Sequence, residues 1–150
     1  MPHLFDHERL EVYQQAIEFV SWTSSLLETW PKTSALRSQL DRASLSIPLN
    51  IAEGNGKWSK KDRCRYFDTA KGSALECAAA LDSAVARTLL SKDIAQNGKA
   101  ILAAIVRMLI GLIQANDPDR TLEKGSMRLG EGGVSYAKEN EKDQDKEKDE

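Results

Sequence analysis

Apolar side chains recur at helical spacing along most of the chain, in four runs separated by polar or proline-containing breaks. In the first run Tyr13, Ile17, Val20 and Leu27 recur at steps of four, three and seven, which places them on one helical face. This predicts a helix from about Asp6 or His7 to Trp30. Pro31 ends it, because the residue before a proline is pushed out of the α region. Thr33 or Ser34 can cap a second helix, with the stripe Leu36, Leu40, Ala43, Ile47 and Ile51, and with Leu45 and Leu49 widening the face. Gly54 stands where a helix C-cap glycine is expected.

Ser59 opens the third run, with Asp62 three residues on in a capping-box-like arrangement. The stripe Tyr66/Phe67, Ala70, Ala74, Cys77, Leu81, Val85 and Leu89 then continues long enough to need neighbours along its whole length. After a polar break at Ser91, Lys92 and Asp93, a fourth helix is expected from Ile94 to Ala115. Ile101, Ile105, Met108 and Leu112 line its face, Leu102, Leu109 and Ile113 broaden it, and Asn97 and Gly98 weaken its start. No segment alternates as a strand would. Four amphipathic helices with short links predict an all-α, antiparallel up-down four-helix bundle over residues 1–116. Beyond Asn116 the periodicity stops, and residues 117–150 read as a disordered charged tail.

Charge sharpens this division. Residues 1–116 carry fourteen Lys/Arg against twelve Asp/Glu, and residues 117–150 carry seven against eleven, so a mildly basic body bears an acidic tail. The N-terminus has no signal-peptide core, and "AILAAIVRMLIGLI" (Ala100–Ile113) is too short for a membrane span and is interrupted by Arg107. A cytoplasmic protein without a membrane role is expected. Cys64 and Cys77 fall on apolar helical faces without metal-ligand spacing and read as packed free thiols.

Three places invite a functional reading. Pro48 lies inside the second stripe yet leaves Ile47 and Ile51 in phase, so a continuous, kinked helix is expected, with Ser44 or Ser46 satisfying a freed carbonyl. Asn50 and Glu53 share a helical face and, with Arg42 and Glu76, form a candidate polar network inside or between bundles. A di-metal version would want Glu-x-x-His pairs; the histidines are only His3 and His7, so no metal and no cofactor are expected. Cys64 and Cys77 have no histidine on a nearby face, and Gly54-Asn55-Gly56 lacks a phosphate-loop spacing, so no catalytic residue is expected. Gly72 interrupts the third helix among small residues, which suggests close helix approach. Last, Lys57, Lys60, Lys61, Arg63 and Arg65 form the one dense basic group, and Trp58 beside them can stack on a base. Lys60 and Lys61 fall at a helix N-terminus, where cations oppose the helix dipole by tenths of a kcal/mol.

"LEVYQQAIEF" (Leu10–Phe19), "RASLSIPLNIAEGNGKWS" (Arg42–Ser59) and "RYFDTAKGSALE" (Arg65–Glu76) carry a resemblance. In these segments the chain resembles the four-helix-bundle family encoded in intervening sequences of 23S ribosomal RNA genes. The resemblance spans roughly residues 5–116 and implies a homopentamer of up-down bundles. More distantly, the chain is similar to the accessory variability determinant of diversity-generating retroelements, which binds a reverse transcriptase and nucleic acid through a basic surface. Two function classes stay open: a non-enzymatic accessory scaffold that binds RNA, DNA or a reverse transcriptase through the basic hinge, and a protein–protein interaction module with no nucleic-acid role. A metal-dependent enzyme is the third and least supported class.

Overall fold

A computed structural model describes residues 2–120 of the chain. The expected disordered tail lies outside the described residues from 121 onward. Among the described residues there are four α-helices, a short 3₁₀ turn and no strand. The helices are α1 (Glu11–Leu27), α2 (Ala35–Asn55), α3 (Lys60–Ala86) and α4 (Lys92–Asn116).

The first helix starts later than its apolar pattern predicts. Asp6–Arg9 form a 3₁₀ turn, and Leu10 is extended before α1 begins. The cause is Glu8, whose carboxylate accepts the backbone N–H groups of Leu4 at 2.6 Å and Phe5 at 2.7 Å. The buried face of α1 is Val12, Ala16, Phe19, Thr23 and Leu27, rotated from the expected Tyr13, Ile17 and Val20. Ile17 is 45 % exposed, since the close-packed inner positions take the small Ala16 and Thr23. The helix ends at Leu27, and Trp30 is buried in the turn that follows.

In α2 the stripe Leu40, Ala43, Ile47 and Ile51 is buried as expected, with Leu36 packed against the core. Leu45 and Leu49 do not widen it; Leu49 is 66 % exposed. Ser34 takes the N-cap position without a side-chain cap bond. The helix runs through the buried Pro48. Neither nearby serine reaches the carbonyl of Ser44: Ser44 Oγ donates to Asp41 O at 2.8 Å, and Ser46 Oγ pairs with Ser73 Oγ at 2.8 Å. Gly54 is not a cap either. It is buried within the helix, and Gly56 ends the helix with its N–H on Ala52 O and Glu53 O.

Ser59 caps α3 by accepting from Asp62 N at 3.2 Å, and Ser91 caps α4 by accepting from Ile94 N at 3.3 Å. The end of α3 folds over through Thr88, whose φ of 61° is left-handed, while Leu89 N reaches back to Ala84 O at 2.9 Å. On α4 the buried face centres on Leu102, Ile105, Leu109 and Ile113, flanked by Ile101, Met108 and Leu112. Although α4 is long and apolar enough to cross a membrane, with a mean hydropathy of 1.7 over its most apolar window, that face fills the bundle core.

Cross-helix contacts fix the topology. Arg42 meets Glu76, Ser46 meets Ser73, and Gly54 lies against Tyr66 and Phe67, so α2 and α3 run antiparallel. Lys99 meets Asp82 and Cys64 lies by the carbonyl of Ile113, so α3 and α4 do the same. The helix α1 packs on α2 and α4, which leaves it diagonal to α3. This is the up-down four-helix bundle. The start of α1, the α2–α3 turn and the end of α4 therefore share one end of the molecule.

Candidate nucleic-acid interface

The α2–α3 turn is braced from within. Lys57 N donates to Gly54 O at 3.1 Å, and Arg63 Nε, one turn into α3, donates to Lys57 O at 2.7 Å. Two aromatic contacts add to this: Lys57 Nζ lies 5.1 Å and the Arg65 guanidinium 5.9 Å from the Tyr66 ring centroid. Arg65 also stands 3.6 Å from Asp62. The basic group is thus not uniform. Arg63 is a brace, Lys57 and Arg65 are partly engaged, and Trp58, Lys60 and Lys61 project into solvent. Trp58 is 100 % exposed. Lys60 and Lys61 have no carboxylate within ion-pair distance among the described residues.

The remaining singled-out residues form two groups, not one network. Arg42 donates to Glu76 Oε1 at 3.0 Å and Gln39 Oε1 at 2.7 Å on the outer α2–α3 surface. Both charged side chains are well exposed, so the pair is worth at most a few tenths of a kcal/mol. Asn50 turns inward instead, donating to Ser46 O at 2.8 Å and Ser46 Oγ at 3.0 Å, which continues to Ser73. Glu53 is exposed and joins neither group. Among the described residues no cluster of His, Cys, Asp and Glu is arranged to hold a metal ion.

The close helix approach expected at Gly72 lies at Gly54 instead. Gly72 faces open space on the exposed side of α3, where an added Cβ meets no atom within 4 Å. The close helix approach is at Gly54, where an added Cβ would stand 2.7 Å from Tyr66 Cβ and 3.1 Å from the Phe67 ring.

Two contacts that no local pattern signals complete this end. Asn55 Nδ2 donates to Asp6 Oδ2 at 3.0 Å, which holds the N-terminal turn against the end of α2. That brings Leu4, 86 % exposed, and Phe5 to the same end as Trp58. Arg120 Nη1 donates to Asp68 Oδ2 at 2.8 Å, a bond that raises the Arg120 pKa and draws the chain after α4 back onto α3. Both thiols are buried. Burial pushes Cys77 up to about 12 and also raises Cys64.

The model of the 23S rRNA-intervening sequence protein family matches residues 8–111. The chain belongs to that family. A crystal structure of a protein of unknown function from the S23 ribosomal protein family of Bacteroides thetaiotaomicron superposes with a TM-score of 0.65 at 21 % identity, covering 69 % of this chain and 98 % of that one. At that identity the likeness shows the fold of this intervening-sequence protein and nothing of its chemistry. No curated protein matches the chain.

Proposed function

We propose that this intervening-sequence protein is a non-enzymatic cytoplasmic scaffold that assembles with copies of itself and holds single-stranded RNA or DNA on its α2–α3 end. The observation that carries this reading is Trp58, fully exposed between Lys57 and the exposed Lys60 and Lys61, which have no ion-pair partner among the described residues. Leaving a Trp in water forgoes about 4–6 kcal/mol of transfer free energy, taking 150–250 Å² at roughly 25 cal/mol/Å². A side chain that contributes nothing to the fold is suited to stacking on a base, and the flanking ammonium groups suit the backbone phosphates. A reverse transcriptase engaged with the same strand is the protein partner that the resemblance implies.

A second reading has its own support. Leu45, Leu49 and Leu75 are exposed on the outer faces of α2 and α3, where Gly72 leaves room for close approach. That surface fits association between copies, up to the pentamer implied by the resemblance, or a protein-interaction module with no nucleic-acid role.

Fluorescence anisotropy of a labelled single-stranded RNA against salt separates the two. Binding should weaken steeply with salt, and the Lys60→Gln/Lys61→Gln chain should lower the log–log slope by about 1.4. Trp58→Ala should cost about 1–3 kcal/mol of affinity. Unchanged affinity and slope in both variants would remove the nucleic-acid reading and leave the interaction module. Light scattering that reports a monomer at all concentrations would remove the assembly.

A further inference from the structure

A second aromatic side chain stands exposed at the end of the bundle that carries Trp58. Phe5 is 63 % exposed, although its turn is held on several sides. Glu8 Oε2 accepts the Phe5 N–H at 2.7 Å, and Glu8 N donates back to Phe5 O at 3.2 Å. The Phe5 ring stacks on His7 with centroids 5.7 Å apart and planes 11° apart, and His7 meets the edge of Tyr13 at 4.7 Å. Tyr13 packs against the core, so this ladder of rings is anchored in α1. Asn55 Nδ2, donating to Asp6 Oδ2 at 3.0 Å, ties the turn to the end of α2, just before Trp58.

We infer that Phe5 is a second stacking platform for the strand that Trp58 receives, so that one single-stranded polyanion lays bases on both rings, with Asn55 as the positioning residue. This deepens the nucleic-acid reading above and rests on it. Preorganisation supports it: a ring whose backbone and one face are already held loses little freedom when a base covers the other face. The Trp58 backbone is likewise held on both sides, by Lys57 N on Gly54 O and by the Ser59 cap. Spacing supports it as well. Counting about 3.8 Å per residue on either side of the Asn55–Asp6 bond, with the two side chains between, puts the Phe5 and Trp58 Cα atoms within about 25 Å. A stacked strand rises about 3.4 Å per nucleotide, so about eight nucleotides cover that span. Charge agrees. Lys60 and Lys61 flank one ring and the exposed Arg9 follows the other, all without an ion-pair partner among the described residues. The two acids of the turn are engaged, Asp6 by Asn55 and Glu8 by backbone N–H groups.

Fluorescence anisotropy of a labelled oligothymidylate of about twelve nucleotides, with the full chain, tests this. A stacked base is worth about 5–150-fold in affinity. Phe5→Ala should weaken binding about tenfold with an unchanged urea midpoint, and Phe5→Trp should keep it. Phe5→Ala/Trp58→Ala should lose the product of the two single losses. Asn55→Ala should weaken binding, and adding Phe5→Ala to it should then cost little more. A blunt duplex of the same length, whose bases are not free to stack, should show no Phe5 effect. Unchanged affinity in Phe5→Ala overturns the inference; where Trp58→Ala still weakens binding, the nucleic-acid reading stands. Equal weakening by Phe5→Ala and Phe5→Trp makes Phe5 a structural residue and overturns its stacking role. Absence of oligonucleotide binding removes both the inference and the reading. Phosphatidylserine vesicles bound in place of the oligonucleotide, and released by Phe5→Ala, would assign the same rings to a lipid surface and overturn the inference.

Discussion

Replacing Gly54 with alanine sets two opposed effects against each other. Alanine is favoured over glycine in a helix interior by about 1 kcal/mol. Against that, the new methyl would stand 2.7 Å from Tyr66 Cβ and 3.1 Å from the Phe67 ring. Ordinary carbon contacts lie near 3.5–4.0 Å, so α2 and α3 must part by about 1 Å. Tyr66 Cβ is fixed to the α3 backbone and cannot rotate aside, which puts the overpacking cost toward the upper end of about 1–3 kcal/mol. The net expectation for Gly54→Ala is a loss of about 2 kcal/mol. In urea unfolding that lowers the midpoint by about 1 M for an m-value near 2 kcal/mol/M. Gly72→Ala is the paired control: with open space around it, the same methyl should stabilise the fold by about 1 kcal/mol. A dilution series separates folding from assembly. If Gly54→Ala raises the midpoint as Gly72→Ala does, the close α2–α3 approach is wrong.

Three other outcomes are expected. Arg63→Lys loses the planar Nε–H that holds Lys57 O, and should cost about 1 kcal/mol with faster amide exchange in the turn; unchanged exchange would make Arg63 a mere surface charge. Cys64 and Cys77 should resist a thiol reagent at mildly alkaline pH until the chain unfolds, because both are buried and Cys77 is pushed up to about 12; rapid native-state labelling contradicts that packing. The Glu8 carboxyl is held below its ordinary 4.5, first by the Phe5 N–H and also by that of Leu4. A carboxyl depressed in the fold contributes stability above its unfolded pKa and loses it as pH falls through the folded value. Amides of Leu4 and Phe5 should therefore stay protected above about 4.5 and open as the pH falls further; protection that persists in strong acid refutes the cap.

Much of the architecture is legible in the sequence because it rests on local rules. Ser59 with Asp62, Ser91 before Ile94, and the stripes of α2 and α3 announce helices through capping and period alone. The phase of α1 is not legible, because a pattern of large apolar residues hides Ala16 and Thr23, which fit where helices crowd. Leu45 and Leu49 look like core by composition and lie on the outer face. The site is half legible. A run of cations can be counted, but only the fold separates Arg63, bound to a backbone carbonyl, from Lys60 and Lys61. The contacts of Asn55 with Asp6 and of Arg120 with Asp68 join residues about fifty positions apart, beyond any local pattern.

Thr88 holds an unclaimed reserve of stability. A β-branched residue in the left-handed region carries a cost of about 1–2 kcal/mol that glycine does not. Its hydroxyl bonds only to the carbonyl of Arg87, next to it in the chain, so no remote group depends on the side chain. Thr88→Gly should raise the thermal midpoint by several degrees. Because Thr88 sits at the far end of the bundle from Trp58, that gain would come without altering the surface proposed to bind. The fold thus tolerates a local inefficiency that selection could remove with one substitution.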